Sequence, residues 1–288
     1  VTPVRGRRRR AAAISATALT AALTAAFLLA DRGSEPTAAS SQTLPAVIAH
    51  RGASSVAPEN TLIAGEVARR VGADWIENDV RPSKDGVPYV FHDAFVDRTT
   101  DGTGHIGKLT SAEIDALDAG SYLAPAYKGT RIPTLAAQLA DLRERGGRLL
   151  LDITGTRGKA DIERIIQLVR EQRMMDRVLV QSFFPDSLRH VRTLAPEVPM
   201  GLLRDKLDAD PVAVTRELGV TAYNVSDKAL STRPELVAEM HAAGVSVNVW
   251  TVNEPDRWRA LADLGVDGII TDRATEMTGW KAARAAGR

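Results

Sequence analysis

Between residues 46 and 272 the chain alternates short apolar segments with longer amphipathic ones, a rhythm that points to a parallel sheet wrapped in helices. The segments that read as strands are AVIAH (46–50), ADWIENDV (73–80), VPYVFH (87–92), GRLLLDI (147–153), RVLVQSF (177–183), VPMGLL (198–203), VTAYNV (220–225), VSVNVWTV (245–252) and DGIITD (267–272). Helical patterns fill most of the gaps, and Gly72, Gly244 and Gly265 stand where helices stop. About eight strand–helix units in roughly 240 residues is the size of a (β/α)8 TIM barrel, an α/β fold. An open doubly wound sheet is the competitor, but no glycine-rich phosphate loop follows the first strand. Polar residues favour the barrel further. His50, Asp79, His92, Asp152, Gln181, Asn224, Trp250 and Asp272 stand at the C-terminal ends of the proposed strands. A barrel gathers those ends on one face, where barrel enzymes do their chemistry. Residues 93–132 break the rhythm as a long, glycine-containing insertion after the second strand region, a length usually tied to function.

The strand ADWIENDV poses an electrostatic problem. Alternation puts Trp75, Glu77 and Asp79 on one face, and Ile76, Asn78 and Val80 on the other. Two carboxylates side by side raise each other's pKa unless something positive lies between them. The chain has no cysteine, which excludes disulfides, thiolate nucleophiles and thiolate zinc sites. Any metal must therefore be held by oxygen or imidazole. At the end of the first strand His50 is placed for proton transfer and Arg51 for holding an anionic oxygen, with Gly52 allowing a sharp turn. Alone, such a His–Arg pair more often serves structure than chemistry.

The net charge of +1 hides a split. Residues 1–39 carry six arginines against Asp31 and Glu35, and the rest of the chain is net acidic. Nothing downstream forms the basic stripe of a nucleic-acid-binding protein. Arg5 and Arg7 to Arg10 precede an apolar run from Ala11 to Ala30, followed by small residues at 37–39. That is the order of an export signal cleaved near Ala39. A retained anchor is the alternative, because about 20 apolar residues can span a bilayer. The expectation is an exported protein, secreted or extracytoplasmic, with its globular domain over residues 46–288. Membrane attachment follows only if residues 11–30 are retained.

The ordered set AHRGASSVAPENT, WIENDVRPSKDGVPYVFHD, DRTTDGTG, RIPTL, VWTVN and DGIITD resembles the glycerophosphodiester phosphodiesterase family, from about residue 46 to 273. The resemblance implies a TIM barrel with a small insertion after the second strand region. It implies metal-dependent hydrolysis of glycerophosphodiesters to glycerol 3-phosphate and an alcohol. By the same resemblance, Glu77, Asp79 and Asp152 are ligands of one divalent cation, His50 and His92 form the acid–base pair, Arg51 binds the substrate phosphate, and Trp250 walls the pocket. An all-oxygen ligand set suits Ca²⁺ or Mg²⁺.

Two positions depart from the family pattern: Asp152 stands where it has Glu, and Thr154 where it has Lys. Aspartate is shorter by about 1.5 Å, one carbon–carbon bond, which favours the more forgiving Ca²⁺. Losing the Lys removes a positive charge facing the substrate phosphate; Arg157 and Lys159 are the nearby candidates to supply it. Two other readings follow. One is a phospholipase D-like enzyme acting on lysophospholipids; the other is a weakly catalytic protein that binds phosphodiesters. His105 reads as an exposed loop residue, and His190 and His241 as surface residues of helices. Asp272 reads as a structural strand end, and Glu59 either as a partner of the His50–Arg51 pair or as part of a helix's first turn.

Overall fold

The computed structural model describes Val1 and residues 43–287; the export signal expected over residues 1–39 therefore lies outside the described residues, apart from Val1. Among the described residues no helix is long and apolar enough to cross a membrane. They form nine strands in one sheet: β1 (Ala46–Ala49), β2 (Trp75–Pro82), β3 (Pro88–Val90), β4 (Leu149–Ile153), β5 (Val178–Ser182), β6 (Met200–Arg204), β7 (Ala222–Ser226), β8 (Ser246–Trp250) and β9 (Gly268–Thr271). Eight of these pair in parallel in the order β1-β2-β4-β5-β6-β7-β8-β9, and β9 pairs back onto β1. The sheet closes, so the expected barrel is the fold observed.

β3 is the exception. In sequence it looks like the other apolar runs, yet it returns antiparallel along β2, pairing Val90 with Val80 and Pro88 with Pro82. The turn between them places Gly86 at φ +80, and Ser83 Oγ accepts from Val87 N. His92 therefore reaches the mouth on a descending hairpin arm, and not from the end of a barrel strand as its sequence position suggested.

The helices are α1 (Leu62–Arg70), α2 (Ser111–Asp115), α3 (Leu135–Arg145), α4 (Lys159–Glu171), α5 (Pro185–Leu194), α6 (Pro211–Leu218), α7 (Asp227–Leu230), α8 (Leu236–Ala242), α9 (Pro255–Leu264) and α10 (Ala274–Ala285). Thr61 caps α1, Thr134 caps α3 and Asp210 caps α6, each side chain accepting from a backbone N–H of the first turn. Two of these helices had no counterpart in the sequence reading, the short α7 and the longer α10. The latter is tied down by Trp280, which packs edge-on to Trp258 at 6.0 Å, and by Lys281, whose Nζ donates to Asp74 at 2.7 Å.

Every barrel strand buries both faces. Outward residues such as Val47, Ile76, Leu151 and Val180 pack on Leu139, Ile162 and Ile166 of the surrounding helices. Inward, Ile48, Leu150 and Ile270 form a separate apolar plug with Trp75 and Leu179. The insertion has its own small core of Tyr89, Phe91, Val96, Ile106, Ile114 and Ile132. Asp118 pins it by accepting from the backbone N–H groups of Gly120, Ser121 and Gly129 at 2.8–2.9 Å.

Beside the apolar plug part of the lumen is polar. Asn248 donates to Asn224 at 2.8 Å, and Asn224 donates to Gln181 at 2.6 Å. Two glycines make room for this ladder. A Cβ on Gly268 would overlap Asn248 Oδ1 and lie 2.8 Å from Ile48 Cδ1, and one on Gly201 would lie 2.7 Å from Asn224 Nδ2. Gly268→Ala should therefore overfill the lumen and cost about 1–3 kcal/mol. A urea midpoint unchanged from the wild type would show that the lumen repacks freely and that the glycine is incidental.

Candidate active site

At the C-terminal mouth of the barrel a cavity of about 190 Å³ is lined by His50, Arg51, Glu77, Asp79, His92, Asp152 and Trp250, with Gln181, Phe183 and Leu203 completing its wall. All seven residues singled out in the sequence thus come together. A larger cavity of about 840 Å³ near Thr43, Asp74 and Lys281 contains none of them.

The three acids meet because of strand register. β2 and β4 pair Asp79 with Asp152, and Glu77 lies two residues earlier on the same face of β2. All three are buried, 2%, 2% and 6% exposed, and each offers an oxygen within 4.8 Å of the others. Burial first, and then repulsion from Asp79, push the carboxyls of Glu77 and Asp152 well above the usual range.

One oxygen of Glu77 and one of Asp79 are engaged by nitrogen donors of the protein. Glu77 Oε2 accepts from Arg51 N at 2.9 Å, and Asp79 Oδ2 accepts from Asn60 Nδ2 at 2.8 Å. Asp152 Oδ1 is buried with no hydrogen-bond partner among the described residues. A buried carboxylate oxygen left without a donor is costly unless a cation meets it. The donor set is all oxygen and convergent, so it fits a hard divalent cation.

Asn60 went unnoticed in the sequence. Besides donating to Asp79, it accepts from Asp79 N at 3.2 Å and from Asn78 Nδ2 at 3.0 Å. It does so with φ +57, and Arg51 has φ +56; both lie in the left-handed region that non-glycine residues seldom occupy. Gly52 follows at φ +79, packed so closely on Ala64 that a Cβ would lie 2.6 Å from its carbonyl carbon. The sharp turn expected at the mouth is therefore built.

Arg51 points back over the acids. Its Nη1 donates to Glu59 Oε1 at 2.8 Å, while Nε lies 3.4 Å from Asp79 Oδ2, close enough for attraction but not aligned as a hydrogen bond. Glu59 also binds Arg98 through both oxygens, at 2.7 and 2.8 Å. Burial alone would raise the Glu59 carboxyl, yet Arg98 and Arg51 outweigh it and hold it below the ordinary range. Glu59 is thus a partner of Arg51, and α1 begins only at Leu62.

Each cavity histidine is anchored by a carboxylate. His50 Nδ1 meets Asp272 Oδ1 at 2.6 Å, and His92 Nδ1 meets Asp93 Oδ1 at 2.5 Å. An ionised carboxylate can only accept, so each Nδ1 carries a proton and each Nε2 is left free. Burial raises the carboxyls of both Asp272 and Asp93. The bonds from His50, Asn253 and Ser54 bring Asp272 down to about 2, and those from Arg98 and His92 bring Asp93 to about 2 as well. The strand-end reading of Asp272 was incomplete, because this residue orients His50.

Trp250 fixes its ring by donating from Nε1 to Asn224 O at 2.9 Å and packs edge-on to Phe183 at 5.5 Å. His105, His190 and His241 do not line the cavity. His105 is half-buried, accepting from Gly107 N and packing on Phe95, and His241 is exposed and bonded to Asp267.

Comparison with known proteins gives this geometry a family. Residues 50–276 match the glycerophosphoryl diester phosphodiesterase family. A glycerophosphodiester phosphodiesterase of Caldanaerobacter subterraneus subsp. tengcongensis is 38% identical over 233 residues, covering 78% of this chain and 93% of that protein. The crystal structure of a glycerophosphodiester phosphodiesterase from Agrobacterium tumefaciens superposes with a TM-score of 0.74 at 33% identity, covering 82% of this chain and 100% of the other. A phosphodiesterase from Oleispira antarctica, in complex with its product sn-glycerol-3-phosphate, superposes with a TM-score of 0.76 at 30% identity over 83% of this chain and 97% of the other. Sequence and fold agree across the barrel from end to end, and the chain belongs to the glycerophosphoryl diester phosphodiesterase family, as a hydrolase of phosphodiesters.

Proposed function

We propose that the chain hydrolyses glycerophosphodiesters to glycerol 3-phosphate and an alcohol, with one divalent cation held by Glu77, Asp79 and Asp152 and with His50 and His92 as the acid–base pair. The observation that carries this reading is the shared cavity: three converging buried acids and two histidines, each with its Nδ1 tied to a carboxylate.

A phosphodiester anion repels nucleophiles. A cation bound by the three acids would draw charge from the nonbridging oxygens. Arg51 contributes in the same direction. Its Nη1 is engaged by Glu59 and its Nε faces Asp79, which leaves Nη2 for a phosphate oxygen. One histidine takes the proton of the attacking oxygen at its free Nε2, and the other delivers a proton to the leaving alkoxide. Asp272 and Asp93 keep Nδ1 protonated on both rings, so Nε2 is the atom that exchanges protons. Trp250 and Phe183 form an apolar wall beside the reacting groups.

Ca²⁺ is the favoured ion. Mg²⁺ demands near-ideal octahedral geometry, whereas Ca²⁺ accepts a more irregular oxygen cage, which suits a site where aspartate stands at position 152. The basic and apolar leader supports export.

A lipid substrate is the second reading. Val56, Phe95, Tyr122, Leu123, Phe183 and Phe184 are large apolar residues left exposed on segments that follow β1, β3 and β5, the side of the barrel where the cavity opens. Acyl chains of lysophospholipids are the natural partners of such a rim.

Chelation should abolish release of glycerol 3-phosphate from glycerophosphocholine, and Ca²⁺ should restore it better than Mg²⁺. Turnover of lysophosphatidylcholine with none of glycerophosphocholine would favour the lipid reading, and activity that persists after exhaustive chelation would remove the cation from the mechanism. His50→Ala should lower kcat by roughly 10²- to 10⁴-fold while ligand affinity survives. Asp272→Asn, which leaves His50 in place but disturbs its tautomer, should lower kcat by roughly tenfold or more with KM near that of the wild type. Wild-type turnover in the His50→Ala variant would end the acid–base assignment.

A further inference from the structure

Two arginines beside the mouth are used by nothing described so far. Arg81 continues the inward face of β2 after Glu77 and Asp79, and Arg157 lies in the loop between β4 and α4. Both are half-buried, and among the described residues neither has a carboxylate within salt-bridge distance. Each is fixed by its Nε, Arg81 on His92 O at 2.5 Å and Arg157 on Thr154 O at 2.8 Å, so the remaining guanidinium nitrogens point elsewhere. They flank one spot above the Gly155 backbone: a Cβ there would lie 3.3 Å from Arg157 Nη2 and 3.8 Å from Arg81 Nη1. Two fixed like charges side by side repel. Burial first, and then this repulsion, lower the pKa of Arg157.

Asp79, Asp152 and Asp93 attract Arg81 and Asp161 attracts Arg157 from beyond salt-bridge distance, but no acid is shared by the two. An anion at the spot they flank would meet both, and phosphate, which guanidinium groups chelate well, is the best match. Position 154 carries no charge of its own; the buried Thr154 hydroxyl donates to Val80 O at 2.9 Å, and Lys159 is exposed. Neither arginine lines the cavity that holds the acids and histidines, so the pair lies next to the reacting phosphate and not around it.

We propose that Arg81 and Arg157 form a second anion subsite that selects glycerophosphodiesters whose leaving alcohol itself carries a phosphate. The glycerol half of such a substrate bears only hydroxyls, so a second charge must lie on the alcohol half. This inference rests on the hydrolytic function proposed above.

The test is a matched pair of substrates, glycerophosphoglycerol and glycerophosphoglycerol phosphate, which differ only in the second phosphate. Wild-type enzyme should prefer the phosphorylated one in kcat/KM by roughly tenfold or more, the scale of charge-assisted hydrogen bonds. Arg157→Gln and the double variant Arg81→Gln/Arg157→Gln should bring that ratio toward one. A wild-type ratio near one overturns the proposal. So do equal losses on both substrates, which would place the arginines on the scissile phosphate instead. Should neither compound be turned over, the hydrolytic reading fails separately, and calorimetric binding of the pair still decides the subsite. Tighter binding of the phosphorylated compound that is lost in Arg157→Gln supports it, and equal binding overturns it.

Discussion

Mutual repulsion among Glu77, Asp79 and Asp152 is the constraint around which the mouth of the barrel is arranged. At an effective dielectric constant of about 20, two unit charges 4.8 Å apart repel by about 3–4 kcal/mol, and three buried acids make three such pairs. Among the described residues only Arg51 comes within salt-bridge distance of one of them, 3.4 Å from Asp79, while Arg81 attracts Asp79 and Asp152 from farther off. The strained backbone at Arg51 and Asn60 is understood in this light. Both residues adopt left-handed conformations, and both direct a donor at an acid, Arg51 through its N–H and Asn60 through its side-chain amide. The cost of these conformations, about 1–3 kcal/mol each, is borne by a scaffold with apolar layers on both faces of the sheet.

That scaffold converts a local sequence pattern into a three-dimensional cluster of acids. A slip of one residue between β2 and β4 would turn Asp152 outward into the helices and Leu151 or Ile153 into the lumen. The outward residues forbid it: Ile76, Val80, Leu149, Leu151 and Ile153 are all within the core between barrel and helices. Packing that has no chemistry of its own thus decides which carboxylates meet. The histidines are placed differently. His50 follows directly from a barrel strand, whereas His92 is delivered by the β2–β3 hairpin and the insertion core behind it. The insertion is therefore part of the site's construction: Arg98, within it, joins Glu59 to Asp93 and so links the supports of Arg51 and His92.

Much of this was legible in the sequence because period-two and strand–helix alternation are local signals. Glu77 and Asp79 two apart in an apolar strand declared one acidic face, and polar residues at strand ends declared the mouth. What escaped depends on partners far away in the chain. Nothing in VPYVFH says whether it will become a barrel strand or fold back on its neighbour; three residues of antiparallel pairing to β2 decide that. Asp272 looked like an ordinary strand end because its partner His50 lies 222 positions away. Asn60 drew no notice for the same reason, its link to Asp79 being visible only once α1 packs on β2. The α10 segment is alanine-rich with weak amphipathic contrast, and its docking rests on Trp258 and Asp74.

The departures at positions 152 and 154 raise different questions, and the structure separates them. A shorter acid at 152 would matter if it withdrew from the other two, but the β2–β4 register sets its Cα beside that of Asp79, and its oxygen stays within 4.8 Å of theirs. Shortening by one methylene is therefore absorbed by strand geometry, and the three acids remain convergent. Position 154 is not compensated in place. Thr154 turns its hydroxyl to Val80 O and becomes part of the strand packing. Positive charge reappears to one side, on Arg81 and Arg157, with longer side chains fixed through Nε. Under the function proposed above, moving charge from the reacting centre to its border would weaken a contact common to all substrates and strengthen one that only some substrates can make. Such a change alters discrimination more than rate.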